Sequence, residues 1–127
     1  MEVLVDTSVW IDYFKSGENS EKLDYLISEN LVRTNALILT ELLPLLMLKK
    51  HNKLVILLQK VNKHPLDIDW EELPKLQVKC LKNGASGIGI PDLIIAQHAI
   101  QNNLPIYTLD KHFRFMKSAG LKIQLYI

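Results

Sequence analysis

The chain opens on a short apolar run, Glu2-Val3-Leu4-Val5, that stops at Asp6-Thr7-Ser8. An apolar run bounded in this way predicts a buried strand, and the polar residues after it can cap a helix from Val9 to Phe14. Ser16-Gly17-Glu18-Asn19 predicts a loop, and Ser20 with Glu21 opens a helix to about Ser28. Leu31-Val32-Arg33-Thr34 predicts a second strand. Asn35 caps a helix running through Glu41, in which apolar positions from Leu37 to Leu48 cover nearly every face. A helix of that kind belongs in a core or an interface. Another helical stretch, His51 to Val61, carries Leu54, Val55, Ile56, Leu57 and Leu58.

Further along, His64-Pro65-Leu66-Asp67-Ile68 predicts a connector with a short strand. Asp69 caps a helix to about Lys82 that Asn83-Gly84 ends. Gly84, Gly87 and Gly89 mark a flexible loop, and Pro91 suits the first turn of a helix spanning Asp92 to Gln101. Pro105-Ile106-Tyr107-Thr108-Leu109 predicts a strand ending at Asp110, followed by a helix to about Ser118. Gly120 turns the chain into a last strand, Lys122 to Tyr126. Short strands alternating with helices predict an α/β fold, a three-layer sandwich with a central parallel sheet of four or five strands between helices. Ligands of such sheets gather beyond the carboxyl ends of the strands. With no repeat, low-complexity segment or linker, residues 1–127 are expected to form a single domain.

Composition narrows the function. A hydrophobic fraction of 48% is that of an ordinary folded protein. Fifteen basic and fourteen acidic residues leave a formal charge of +1, which excludes nucleic-acid binding by bulk charge alone. Cys80 is the single cysteine, so neither an internal disulfide nor an all-cysteine metal cage is expected, and a buried helix filler is the reading for it. Met1-Glu2-Val3 has no basic leader pattern. The most apolar run, Ala36 to Leu48, is broken by Thr40, Glu41 and Pro44 and is shorter than the roughly 20 residues of a spanning helix. A cytoplasmic protein with no membrane association is the expectation.

Four acids then stand out. Asp6 and Asp110 each follow a strand, and Asp92 lies in a first helical turn; singly, each can be explained as a cap or as a partner of the helix dipole. Glu41, among Leu37-Ile38-Leu39 and Leu42-Leu43, is harder to explain that way, because an ionised side chain in apolar surroundings needs a partner or a metal. Two unit charges about 4 Å apart repel by about 4 kcal/mol at an effective dielectric of 20. Four carboxylates converging at one sheet edge would therefore call for a cation. Hard oxygen ligands with no nearby histidine or cysteine select Mg2+, with Mn2+ as a substitute.

The motifs carrying these acids resemble a known family. Val3-Leu4-Val5-Asp6-Thr7-Ser8-Val9-Trp10-Ile11 is similar to the opening motif of PIN-domain ribonucleases, in particular the VapC toxins of toxin–antitoxin pairs. Leu39-Thr40-Glu41-Leu42-Leu43, Ile90-Pro91-Asp92-Leu93-Ile94-Ile95-Ala96 and Tyr107-Thr108-Leu109-Asp110-Lys111-His112-Phe113 resemble the later motifs, in the family's order. The resemblance implies a metal-dependent endoribonuclease cleaving single-stranded or looped RNA. Asp6 and Asp92 would be the principal metal ligands, completed by Glu41 and Asp110 directly or through water, with Thr7 or Ser8 orienting Asp6. It also implies a homodimer and a VapB-like antitoxin as partner, the apolar segments Leu42–Leu48 and Leu54–Leu58 supplying the surfaces. Pro44, three residues after Glu41, departs from a regular helix and would kink it.

Lys15, Lys111, His112 and Arg114 are either RNA-phosphate contacts or solvated surface, the latter being commoner for such residues. His51, His64 and His98 show no ligand spacing and read as structural or surface residues. Asp12, Asp24, Asp67 and Asp69 read as cap or helix-face acids. Trp10 and Trp70 read as core packing, Trp10 being near enough to Asp6 to line the cleft. Two other functions compete. A haloacid-type phosphatase would need a second aspartate two residues after Asp6, where Ser8 stands. A non-catalytic PIN-like binding module would have lost an acid, and all four are present.

Overall fold

In the computed structural model, which describes residues 1–127, strand β1 (Val3–Val5) is apolar at every position because both of its faces are covered. Alternate strand residues point to opposite faces. Val3 and Val5 accordingly enter one apolar cluster and Leu4 another. The chain continues through α1 (Thr7–Phe14), α2 (Ser20–Ser28), β2 (Val32–Thr34), α3 (Ala36–Leu48), α4 (Asn52–Lys60), β3 (Asn62–Lys63), α5 (Glu72–Lys82), α6 (Ile90–Gln101), β4 (Ile106–Tyr107) and α7 (Lys111–Ser118). The four strands pair in parallel in the order β3-β2-β1-β4, so the α/β architecture read from the alternation holds. Helices bury both faces, as parallel sheets require. Val9, Trp10, Leu23, Leu26, Leu42 and Leu58 of α1 to α4 fill one side. Leu73, Cys80, Leu93, Phe113 and Met116 of α5 to α7 fill the other.

Several boundaries differ from expectation. The strand expected at 64–68 falls instead at Asn62–Lys63, directly after α4. The last strand shrinks to a single parallel bridge between Ile106 and Leu125, because β4 itself has only two residues to pair with it. Asp69 does stabilise the start of α5, its Oδ1 accepting from Glu72 N at 3.2 Å. Helix α3 runs on through Pro44; the ring lies on the open side, where water can take up the Thr40 carbonyl left without a donor. Trp70 is not core, being 64% exposed, whereas Trp10 is wholly buried and does not line the cleft. Cys80 is buried as read. No helix is long and apolar enough to cross a membrane.

Candidate functional site

The parallel register explains how the site is assembled. Leu4 pairs with Ile106 and Val5 with Tyr107, so the next residues, Asp6 and Thr108, meet just beyond the strand ends. Thr108 Oγ1 donates to Asp6 Oδ2 at 2.9 Å, and Ser8 Oγ donates to the same oxygen at 2.8 Å. Asp6 is 5% exposed, the most buried of the four acids. Its side chain also caps α1, accepting from Ser8 N at 3.5 Å. The cap and the site are thus one arrangement.

Thr108 serves both flanks, since its Oγ1 accepts from Asp110 N at 2.9 Å. Asp110 caps α7, its Oδ1 accepting from His112 N at 2.9 Å. That turn swings the His112 ring back toward the acids. Its Nδ1 lies 3.2 Å from Asp92 Oδ2 and 3.4 Å from Asp110 Oδ1. Ligand atoms of Asp92, Asp110 and His112 all fall within 4.8 Å of one another, a spacing that could hold a metal ion. The expectation of an acid set with no histidine nearby is corrected: one imidazole sits among the carboxylates, because the Asp110 cap brings residue i+2 over Asp92.

Glu41 joins from the other side. One stripe of α3 (Ala36, Thr40, Glu41, Pro44, Met47 and Leu48) is exposed, so Glu41 is not enclosed among leucines as the sequence suggested. It nevertheless feels the rim. Partial burial, and then the charges of Asp6 and Asp92, raise its pKa above the usual glutamate value. Burial likewise raises Asp92, helped by Asp110 and Asp6 and opposed by His112. The four acids therefore share one electrostatic neighbourhood at the carboxyl edge of the sheet.

Of the two residues expected to orient Asp6, Ser8 does so, and its Oγ also accepts from Leu109 N at 2.9 Å. Thr7 does not: its Oγ1 is buried with no hydrogen-bond partner. Sequence reasoning did not single out Thr108, and it read His112 as an RNA-phosphate contact or surface residue rather than as a neighbour of Asp92 and Asp110. Both lie inside the quoted fourth motif, and only the β1–β4 register and the α7 cap reveal their places. Lys15, Lys111 and Arg114 are exposed, as for solvated charge. His98 is buried against Asn35, whose Nδ2 lies 3.0 Å from His98 Nδ1, in keeping with a structural role.

Comparison with solved structures returns this fold. The structure of VapBC2 from Rickettsia felis, bound to a DNA fragment from its promoter, matches with a TM-score of 0.76 and 21% identity, over 99% of this chain and 98% of that one. FitAcB from Neisseria gonorrhoeae matches with a TM-score of 0.71 and 22% identity, over 98% and 96%. At such identities the likeness is one of fold. No match is found among curated protein sequences. The sequence pattern of the PIN domain, by contrast, is matched directly over residues 3–117, a stretch that contains all four acids and the strands that position them, and on that ground the chain belongs to the PIN domain family.

Proposed function

We propose that this protein is a magnesium-dependent endoribonuclease, with Mn2+ as an alternative ion, that cleaves single-stranded or looped RNA as the toxin of a toxin–antitoxin pair. The observation that carries the reading is the gathering of Asp6, Glu41, Asp92 and Asp110 at one rim, where burial and then their neighbours' charges raise the pKa of Glu41 and Asp92. The donor set suits a divalent ion: four carboxylates predominate, and the lone imidazole offsets them only in part. Asp6 and Asp92 are the main ligands in this reading; Asp110 and His112 lie close enough to Asp92 to complete the shell, while Asp6 and Glu41 stand outside that close set and join directly or through water.

When bound, a divalent ion supplies Lewis-acid chemistry, polarising the phosphate and easing deprotonation of water. The chain's own residues do the rest. Ser8 and Thr108 fix the orientation of Asp6 through its Oδ2, as groups behind a ligand generally must. Glu41, exposed on α3 with its pKa raised, is the carboxylate that takes a proton from the attacking water in this reading. Attack on phosphorus proceeds in line with the leaving 3′ oxygen. No histidine is required as base.

The partner reading rests on apolar surface. Met47 is 63% and Leu48 80% exposed at the end of α3, with Ile56 of α4 exposed nearby in sequence. Such residues suit a homodimer contact and a groove for an amphipathic antitoxin helix. Light scattering should find a dimer at micromolar concentration; a monomer that retains no co-expressed VapB-like partner contradicts this part. For the activity, labelled structured RNA is incubated with Mg2+, with Mn2+ and with EDTA. Cleavage that disappears with EDTA and in Asp92→Asn is expected. Hydrolysis of small phosphate esters instead would favour a phosphatase, and RNA binding without turnover a non-catalytic module.

A further inference from the structure

Next to the acidic rim lies a cavity of about 370 Å³, walled in part by Ile106, Thr108, Asp110, Arg114, Leu125 and Tyr126. Thr108 and Asp110 belong to the rim as well, so the cavity adjoins it. Their chemistry differs. Ile106 and Leu125 give the cavity an apolar lining. Arg114, exposed on α7, makes no ion pair: the pairs in the molecule are Arg33 with Glu2 and His112 with Asp92 and Asp110. The Tyr126 ring is held by partners outside the cavity. The Tyr107 ring lies 5.2 Å from it, tilted by 55°, and the Lys22 ammonium sits 5.5 Å from its centroid.

An unpaired guanidinium, an immobilised aromatic ring and an apolar lining, adjoining a site for phosphodiester chemistry, match the parts of one nucleotide. We infer that this cavity is a nucleotide subsite of the cleavage site proposed above, on which reading it rests. One unstacked RNA base packs against Tyr126 while Arg114 meets the adjoining phosphate. The volume falls at the lower end of the roughly 300–1,000 Å³ of ligand pockets. A base can enter only after leaving its helix, which costs energy in a duplex and little in a single strand. Recognition by a ring and an apolar lining tolerates any base, since each has a π-face. The subsite thus selects unpaired over paired RNA rather than one base over another.

The test is binding, so that it does not depend on turnover. A fluorescein-labelled single-stranded RNA dodecamer of mixed sequence, and the same strand in a duplex, are titrated by anisotropy in the Asp92→Asn background. The single strand should bind more tightly than the duplex. Arg114→Gln and Tyr126→Leu should each weaken it roughly tenfold, the size of one lost stacking contact, and Tyr126→Phe should retain binding. Lys117→Gln removes a charge from the same helix outside the cavity and should change affinity by less than about twofold if bulk charge is not the cause. If Tyr126→Leu fails to fold, the contrast between exposed Arg114 and Lys117 decides alone. The inference is overturned if the parent does not bind the single strand, if Arg114→Gln binds like the parent, or if Lys117→Gln falls equally. A native chain that binds RNA with this contrast yet never cuts it would sink the nuclease reading and leave the subsite standing.

Discussion

Helix α6 carries two polar clusters, one at its first turn and one nearer its end, and they are built in opposite ways. At the first turn, Asp92 faces Asp110 and the charge of Asp6, with only the His112 ring to offset them. Further along, Gln97 and His98 are sealed beneath the surface, Gln97 and His98 Nδ1 paired with other protein groups and only His98 Nε2 left without a partner. Gln97 Nε2 donates to Asp69 O at 3.0 Å and to Glu72 Oε1 at 2.8 Å, and its Oε1 accepts from Asp69 N at 3.0 Å. Asn35 Nδ2 donates to His98 Nδ1, while Asn35 Oδ1 accepts from Ile38 N at 2.9 Å and so caps α3. Polar groups that find partners inside the molecule strengthen the fold. Like charges gathered without an equal counter-charge weaken it and direct their field toward a ligand. Two clusters on one helix thus separate what holds the protein together from what it is built to bind.

The largest effect expected from this contrast is at the rim. Asp92→Asn should lower RNA cleavage about a thousandfold, equivalent to about 4 kcal/mol, without lowering the urea midpoint, because a repulsive charge has gone. Single-turnover cleavage and urea unfolding of one preparation check both halves, and a matching loss of stability would erase the distinction. Asn35→Ala should do the converse. It removes a helix cap worth about 0.5–2 kcal/mol and leaves buried His98 Nδ1 without its donor, at about 1–3 kcal/mol. Denaturant unfolding should record about 3 kcal/mol lost, with cleavage per folded molecule unchanged.

Thr108→Val lies between the two clusters in character. It deprives Asp6 of one donor and Asp110 N of its acceptor, so activity should fall about 10- to 100-fold while stability drops by about 1 kcal/mol. The smallest effect is one of pH. Burial, and then the neighbouring His64, lower the His98 pKa below its usual 6.5, with the polar backbone of Pro65 acting in the opposite direction. Below pH 6.5 the unfolded chain therefore binds more protons at this position than the folded one. Stability should decline as pH falls from 6.5 to the folded-state value and level off beneath it. His98→Gln should flatten that segment of a stability-against-pH curve relative to the parent, and an unchanged slope would place the proton elsewhere.

Much of this was legible in the sequence, for reasons that can be traced to particular residues. Asp6 and Asp110 stand where apolar runs stop, and Asp92 follows a proline suited to a helix start, so local pattern alone put them at strand ends and a first turn. Glu41 was singled out on a mistaken premise, since the run of leucines around it concealed an exposed stripe on α3. Thr108 and His112 escaped because their places depend on pairing between residues about a hundred positions apart and on a cap that turns the chain. Trp70 misled for a related reason: aromatic character favours burial, yet this side chain stands outside both apolar clusters. Strands of two or three residues are too short for periodicity to fix their bounds, which is why β3 moved and the last strand dwindled to a bridge.

The pairing of β1 with β4 has a bearing on biosynthesis. Strand β1 lies inside the sheet, and the place beside it stays vacant until β4, about a hundred residues later, has emerged from the ribosome. Asp6 therefore waits through translation for Thr108 and Asp110. A chain stalled before β4 lacks Thr108 and Asp110, so the rim cannot close until that strand has been made and paired.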